Sequence, residues 1–270
     1  MKVRKQLIIN ADDFGYTPGV THGIIEAHNK GVVTSTTALT VSPYFEEAMV
    51  LRNQLAPNLA VGVHLALTLK GGKPLLAKEE VPSLVDANGE FLTQQEVADK
   101  VDLDDVYREW DAQIARFYAT GNKPDHLDSH HDVHVKTRGL WDVAVKLSEK
   151  YALPIRNTPI LEHAAQVAQD AQVITTDRML AGFYGVGSTA ENLQTILDDV
   201  QGNPTFRTYE MSCHPAFIDQ ALKQGSSYCD IRMDELVILT NATLPEALAA
   251  RNIDLITYGD LAQLGTKIHE

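Results

Sequence analysis

The segment His126–His134 (HLDSHHDVH) holds four of the ten histidines of the chain and two of its aspartates. Imidazole and carboxylate groups bind divalent metal ions and transfer protons near neutral pH. Two further polar clusters stand upstream, Asp12-Asp13 in NADDFG and His64 in GVHL, and each follows an apolar run typical of a buried strand. Three such clusters at the ends of separate strands predict one site assembled in space, and they favour a metal-dependent hydrolase.

The histidine-rich segment offers more donors than one metal site needs. In an extended strand, alternate residues of 126–130 share one face, which puts the side chains at 126, 128 and 130 together. A metal-binding histidine usually has its far nitrogen held by a carboxylate or carbonyl, and Asp128 or Asp132 could serve. We expect His131 to lie outside the ligand set, against solvent or behind the ligands. The residues expected to support the ligands through hydrogen bonds are His126, Asp128 and His134.

Asp12 and Asp13 are adjacent, so in a regular strand they point to opposite faces. At a strand end the backbone can turn and let both reach one pocket, where one carboxylate binds a metal and the other takes a proton from water. The alternative is that an aspartate here caps the following helix, together with Thr17. His64 alone would suit a hydrogen-bonded core histidine, and the other two clusters favour a metal ligand instead.

Later in the chain, His214-Pro215 ends another predicted strand. A histidine at a strand end without ligand neighbours suits a general acid, and a packing role fixed by the proline is equally open. Tyr184 and Tyr228 stand near glycine and polar residues and are candidates for stacking on a sugar. Arg178 is a further candidate for substrate binding.

An aspartate and two histidines around one ion would leave coordination positions open. That donor set suits zinc, iron, cobalt or manganese, whereas magnesium prefers oxygen ligands. A metal ion in such a site lowers the pKa of a water toward neutrality and so prepares a nucleophile. We therefore expect one divalent metal ion as cofactor.

Short apolar runs alternate with longer amphipathic ones along the chain, which predicts about seven β/α units in series. No Pro/Gly/Ser linker or repeat interrupts them, so a single parallel-stranded (β/α) barrel is expected, with a doubly wound open sheet as the alternative. The absence of GxGxxG after a strand disfavours dinucleotide binding. Strands are predicted at 6–10, 35–41, 59–65, 124–128, 153–156, 208–213 and 255–257. The principal predicted helices lie at 43–55, 103–120, 138–151, 162–171, 192–200 and 244–249.

Residues 69–92 break this rhythm with Gly71-Gly72, Pro74, Pro82 and Asn88-Gly89. We interpret the stretch as an insertion without regular structure, of the kind that often forms a functional lid. The whole chain, 1–270, is expected to be one catalytic domain carrying this insertion.

The formal net charge of −13 argues against nucleic acid and anionic membranes as partners, since both attract clustered Lys and Arg. Two cysteines, outside any CxxC pair, are too few for a disulfide framework or a cysteine zinc site. The apolar run at 7–9 is too short for a signal-peptide core. These features favour a cytoplasmic protein with a small-molecule substrate, and a homodimer is compatible with them.

Several long motifs resemble the YdjC/ChbG-like carbohydrate deacetylases. They are IINADDFG, GVVTSTTALT, VGVHLALT, HLDSHHDVH and MSCHPAF, followed by a late stretch with Tyr228-Cys229, Arg232 and Glu235-Leu236. The motifs keep one order from Leu7 to about Leu264. The resemblance implies a distorted (β/α) barrel similar to the polysaccharide deacetylases. It also implies removal of acetate from N-acetylglucosamine units of short chitooligosaccharides such as diacetylchitobiose.

Carried onto this chain, the resemblance implies Asp13, His64 and His130 as metal ligands, Asp12 as general base and His214 as general acid. It also implies magnesium, whereas the ligand types favour zinc or another transition metal. One position departs from the family pattern, because Asp132 stands where a third successive histidine is frequent. We expect this residue to lie behind the ligands.

Two other functions compete with deacetylation. A metal-dependent phosphoesterase acting on a sugar phosphate could use the same cluster, and Arg156 and Arg178 are the candidate phosphate ligands. A sugar-binding protein without activity is disfavoured by the intact set of candidate residues. A glycosidase is disfavoured because its two carboxylates must flank the scissile bond about 5–10 Å apart, which adjacent aspartates do not readily do.

Overall fold

The computed structural model describes residues 4–158 and 173–267. The helix predicted at 162–171 lies outside the described residues. Within them, seven strands form one sheet whose strand pairings are all parallel. The strands are β1 Lys5–Phe14, β2 Ser35–Ala38, β3 Ala60–Leu65, β4 Leu127–Ser129, β5 Arg178–Leu180, β6 Thr208–Cys213 and β7 Ile253–Leu255.

The strand order is β4-β3-β2-β1-β6-β5, with β7 paired to the beginning of β1. In a doubly wound sheet the second half of the chain starts beside β1 and moves outward. In this sheet the second half of the chain begins at the edge opposite β4 with β5, and β6 then lies between β5 and β1. This is the strand order of a barrel that is open between β4 and β5. The predicted distorted (β/α) barrel is therefore confirmed, as a curled half-barrel.

Ten α-helices connect and cover the strands in the described part of the chain. They are α1 Pro18–Lys30, α2 Phe45–Leu55, α3 Gln94–Lys100, α4 Leu103–Ala119, α5 Arg138–Tyr151, α6 Ala190–Gly202, α7 Gln220–Gly225, α8 Ile231–Leu239, α9 Leu244–Ala250 and α10 Tyr258–Lys267. The predicted apolar face of α4 is buried, because Val106, Trp110 and Ile114 recur at helical spacing. None of the described helices is both long and apolar enough to span a membrane.

The central strand β1 is buried from Leu7 to its end. Its apolar residues pack in the core, and its last residues before Phe14 are Asp12 and Asp13. In parallel half-barrels the carboxyl ends of the strands meet at one rim. The fold thus carries both aspartates into the rim while keeping them largely out of water.

Five of the predicted strands differ by more than one residue from those observed. The strand predicted at 6–10 continues to Phe14, and the one predicted at 35–41 ends at Ala38. The strand at 124–128 is the shorter β4, and the one at 255–257 begins and ends two residues earlier, as β7. The stretch 153–156 is reduced to a single parallel bridge between Leu127 and Ile155, since Pro154 has no N–H to donate. The three residues of β5 are too few to show a strand period, and the sequence did not predict them.

The insertion at 69–92 is more ordered than expected. It contains a short 3₁₀ turn, Pro82–Leu84, and a bridge between Val85 and Phe91. The buried Glu109 of α4 accepts hydrogen bonds from the backbone N–H groups of Leu75 and Leu76, at 2.9 and 3.1 Å. The insertion is therefore fastened to a helix of the barrel through backbone contacts that sequence periodicity does not reveal.

Candidate metal centre and active site

Three strands bring the predicted metal ligands together. Asp13 comes from the end of β1, His64 from β3, and His130 follows β4 directly. One carboxylate oxygen of Asp13 lies 3.3 Å from Nε2 of His64 and 2.9 Å from Nδ1 of His130. All three side chains are buried, and their donor atoms lie within 4.8 Å of one another. The group could hold a metal ion.

The backbone turn at Asp13 explains how two adjacent aspartates reach the same site. Asp13 has a φ of 73°, in the left-handed region that a non-glycine residue seldom adopts. The pairing of β1 with β2 is interrupted at the same place, between Ala11 and Phe14. Because the strand ends in this turn, Asp12 and Asp13 do not point to opposite faces of the sheet. A turn of this kind is what the sequence predicts for two adjacent aspartates that reach one pocket.

Asp128 holds the far nitrogen of His64. Its carboxylate lies 2.7 Å from Nδ1 of that ring and also accepts a hydrogen bond from the Thr37 hydroxyl at 2.9 Å. Burial alone would lower the pKa of His64, but Asp128, with further carboxylates nearby, raises it to about 10. Metal-binding histidines are typically oriented by a carboxylate in this way. The donor set and its support therefore fit a divalent cation, which would replace the proton on His64.

The second aspartate, Asp12, is clamped by a buried arginine. Arg156 contacts its two carboxylate oxygens at 2.8 and 2.7 Å, and the Asn10 amide donates to it at 2.8 Å. Burial raises the pKa of Asp12, but Arg156 more than offsets this and keeps the pKa below its usual value. Asp12 is thus an ionised carboxylate at neutral pH, held in one orientation beside the metal candidate.

Arg156 also contacts Asp128 at 2.9 Å and Glu210 at 2.8 Å, so three carboxylates surround one guanidinium group. The sequence analysis considered this arginine only as a phosphate ligand. The sequence did contain one indication of this role, because Arg156 directly follows the apolar stretch 153–155. An arginine that is buried after such a stretch must be paired with carboxylates.

Arg232, the second buried arginine of the site, lies on α8. It donates to the outer carboxylate oxygen of Asp13 at 2.7 Å and to the backbone oxygen of Tyr228 at 2.7 Å. Burial raises the pKa of Asp13, but Arg232, followed by His130, brings it well below its usual value. One oxygen of Asp13 thus faces the two histidines while the other is fixed by Arg232.

His214 follows β6 and lies at the edge of this cluster. Its Nε2 is 3.9 Å from a carboxylate oxygen of Asp12. Its backbone N–H donates to the buried carboxylate of Glu235, so the residue is held through its main chain. The ring is partly accessible, with 16% of the side chain exposed. This placement leaves a partly accessible imidazole beside Asp12.

Two aromatic rings flank His214. Tyr184 and Tyr228 stack with their centroids 4.5 Å apart and their planes within 6°, and His214 meets both rings edge-on at 5.5 and 5.3 Å. Tyr184 is 54% exposed. The Tyr228 hydroxyl is anchored by donating to Glu235, which no sequence pattern indicated. We name the pair Tyr184 and Tyr228 the aromatic platform.

Three other residues of the histidine-rich segment lie around the metal candidate rather than in it. His134 bridges the Ser129 hydroxyl and the backbone oxygen of Arg156, at 2.5 and 2.9 Å. His131 contacts the Thr68 hydroxyl at 2.9 Å, and Asp132 accepts from the Thr158 hydroxyl at 2.9 Å. His134 therefore positions the arginine that clamps Asp12.

His126 and Arg178 lie further from the cluster. His126 contacts Asp125 at 2.6 Å and stacks on Tyr258 with centroids 4.0 Å apart. Arg178 on β5 is opposite Tyr209 on β6, which is in turn opposite Leu7 on β1, and its guanidinium lies over the Phe206 ring. Leu7 precedes Asp12 by five residues along β1, a distance of about 16 Å in an extended strand. The structure thus places Arg178 away from the rim, which removes its basis as a substrate ligand.

A family model described as YdjC-like protein matches residues 6–250. The chain belongs to the YdjC-like family. Among its curated relatives is a carbohydrate deacetylase of Enterococcus faecalis, 51% identical over 96% of this chain and 98% of the relative. A chitooligosaccharide deacetylase of Proteus mirabilis is 38% identical over 94% and 98% of the two chains. The resemblance seen in the motifs is confirmed.

Solved structures share this fold. An Enterococcus faecalis crystal structure, described as a candidate cellobiose-phosphate cleavage protein, has a TM-score of 0.93 at 50% identity, and the match covers 96% of this chain and 99% of that one. A Streptococcus mutans CE4 esterase has a TM-score of 0.50 at 12% identity, covering 94% and 86%. At that identity the likeness concerns the fold alone.

Proposed function

We propose that this YdjC-like protein is a metal-dependent deacetylase that hydrolyses the N-acetyl group of N-acetylglucosamine units in short chitooligosaccharides, such as diacetylchitobiose. The observation that carries the proposal is the buried group of Asp13, His64 and His130 with the clamped carboxylate of Asp12 beside it. The names of the curated relatives support the substrate class. The ligand set fits zinc, cobalt or manganese, and the family resemblance adds magnesium.

Each residue of the site has a distinct part in amide hydrolysis. Asp13, His64 and His130 would hold a divalent metal ion, which when bound would act as a Lewis acid toward the acetyl carbonyl and the attacking water. Asp12 accepts the proton of the attacking water, and Arg156 keeps its carboxylate ionised and in place. His214, whose ring is partly accessible, donates a proton to the nitrogen of the departing amine. Acetate and the free amino sugar are the products.

The aromatic platform is proposed to bind the sugar that carries the acetyl group. Tyrosine rings present apolar faces that suit the C–H surface of a pyranose, while their edges stay wet. The exposed ring of Tyr184 lies against His214, so a sugar stacked on it would bring its amide toward the proposed acid.

Phosphate recognition has less support in the site. Arg156 is occupied by three carboxylates, and Arg178 lies over Phe206 on the lower part of the sheet. Arg232 pairs with Asp13 through one nitrogen, so a phosphoesterase would depend on that one arginine for a phosphate contact near the metal. Deacetylation makes no such demand, because its substrate amide is neutral.

The proposed function is tested by acetate release from diacetylchitobiose, using metal-stripped protein with and without Zn²⁺, Co²⁺, Mn²⁺ or Mg²⁺. We expect the stripped protein to be inactive and at least one ion to restore release, which identifies the working metal. If the protein binds metal and yet no ion restores release from this or other N-acetyl sugars, the deacetylase proposal is wrong. Turnover of sugar phosphates instead would establish the phosphoesterase.

Metal binding should strengthen as the pH rises. His64 has a pKa of about 10 in the metal-free protein, so it is protonated at neutral pH and must release that proton to bind a metal. Below pH 10 the affinity should therefore increase about tenfold per pH unit for this one proton. Calorimetry at pH 7 in two buffers of different ionisation enthalpy measures the released proton directly. Binding without proton release would contradict the assignment of His64.

A further inference from the structure

A cavity of about 520 Å³ opens beside the metal candidate and takes no part in the chemistry described so far. Its walls come from the loops after β1, β2 and β3 and from the helices α4 and α7. Residues on these walls include Tyr16, Ser42, Leu69, Lys70, Pro74, Arg116 and Ala221. The volume falls within the range of about 300–1,000 Å³ that is usual for small-molecule sites.

Tyr16 connects the cavity to the metal candidate. Its side chain lines the cavity, while its backbone N–H donates to the Asp13 carbonyl at 2.9 Å. Its ring centroid lies 6.3 Å from that of His130. A molecule in the cavity would thus be separated from a proposed metal ligand by about the width of one aromatic ring.

The cavity and the aromatic platform share the segment that follows β6. Three walls of the cavity follow β1, β2 and β3, and another wall, α7, follows β6 and ends three residues before Tyr228. Tyr184, the other ring of the platform, follows β5. An elongated ligand stacked on the platform would therefore meet the cavity along the segment that joins Tyr228 to α7.

The lining of the cavity is amphipathic. Leu69 and Pro74 offer apolar surface, and Ser42 and Lys70 offer polar groups. Lys70 also donates to the backbone oxygen of Gln224 at 2.8 Å, which ties the start of the insertion to α7 across the cavity. Apolar faces with polar groups at their edges suit a pyranose ring, whose C–H faces are apolar and whose hydroxyls lie around the rim.

We propose that this cavity binds the sugar unit next to the one that is deacetylated. The proposal rests on the proposed function and adds that the start of the insertion, Leu69–Leu75, selects oligosaccharides over the monosaccharide. Binding of the second unit holds the first on the aromatic platform, so the gain in affinity comes from a part of the substrate that does not react.

The test fills the cavity and compares two substrates. Ala221→Trp should raise KM for diacetylchitobiose at least tenfold with little change in kcat, while the kinetics with N-acetylglucosamine stay as in the wild type. The matched control is Lys223→Trp, on the exposed side of the same helix. Pro74→Trp fills the cavity from the opposite wall and serves if Ala221→Trp does not fold, as judged by circular dichroism.

The outcomes separate this proposal from the proposed function. Wild-type protein that releases no acetate from either sugar with any metal would refute the deacetylase itself. Wild-type protein that is active on diacetylchitobiose, together with a folded cavity-filling variant of unchanged KM, would overturn the cavity proposal alone. Equal kcat/KM for the monosaccharide and the disaccharide in the wild type would also overturn it.

Discussion

Replacing His130 with alanine is expected to abolish both metal binding and acetate release. The three proposed ligands are buried and within 4.8 Å of one another, so removing one leaves two donors and a cavity where the third stood. Asp13 would also lose its 2.9 Å contact with the ring, leaving its inner oxygen less well held. Calorimetric titration with the working metal and an acetate assay measure the two losses on the same protein.

Asp128→Asn provides a graded comparison for that result. The asparagine keeps the shape of the side chain but loses the charge that orients His64, and losses of such supporting groups typically weaken metal binding about 10–100-fold. His22→Ala, on the exposed face of α1, is the control and should behave as wild type. Tight metal binding in His130→Ala would show that this histidine is not a ligand.

Asp12→Asn is expected to lower turnover by about 10²–10⁴-fold while metal binding stays close to wild type, the usual scale for loss of a general base. The amide oxygen can still accept one of the two hydrogen bonds from Arg156, so the substitution removes the basic oxygen and one contact with little change in shape. Steady-state kinetics on diacetylchitobiose measure the loss, and calorimetry checks the metal.

The exposed Asp99→Asn on α3 is the matched control for this substitution. If Asp12→Asn retained full turnover, Asp12 would not be the base. If it instead lost the metal, Asp12 would belong to the ligand set, which the second group of donors, Asp12, His64 and Asp128, makes a real alternative. The two measurements therefore distinguish a base from a ligand.

Much of the fold followed from local sequence patterns. The periods of apolar residues predicted the parallel barrel and, to within one residue, the bounds of β3 and β6, since strands and helices repeat over a few residues. The prediction was wrong where the pattern was short or interrupted. β5 has only three residues, and Pro154 reduces the stretch 153–156 to a bridge. The contacts of the insertion with Glu109 could not be predicted from the sequence either. They are made by backbone N–H groups, which every residue except proline has, so the residue types give no indication of them.

In the candidate site, too, some residues could be predicted from the sequence and others could not. Asp12, Asp13, His64, His130 and His214 were identified because they follow apolar strands, and parallel strands bring such positions to one rim. Their roles stay predictions that the variants above will test. Arg156, Arg232 and Glu235 took on their parts only in the structure, where they clamp Asp12, fix Asp13 and hold His214.

The sequence by itself determined which chemical groups gather at the rim, because residue type and strand period are local properties of the chain. Tertiary structure decided which oxygen of which aspartate faces the histidines. That choice depends on contacts between residues far apart in sequence, 144 positions for Arg156 with Asp12 and 219 for Arg232 with Asp13. A buried carboxylate takes its orientation and its pKa from the cation beside it, and only the fold brings that cation there.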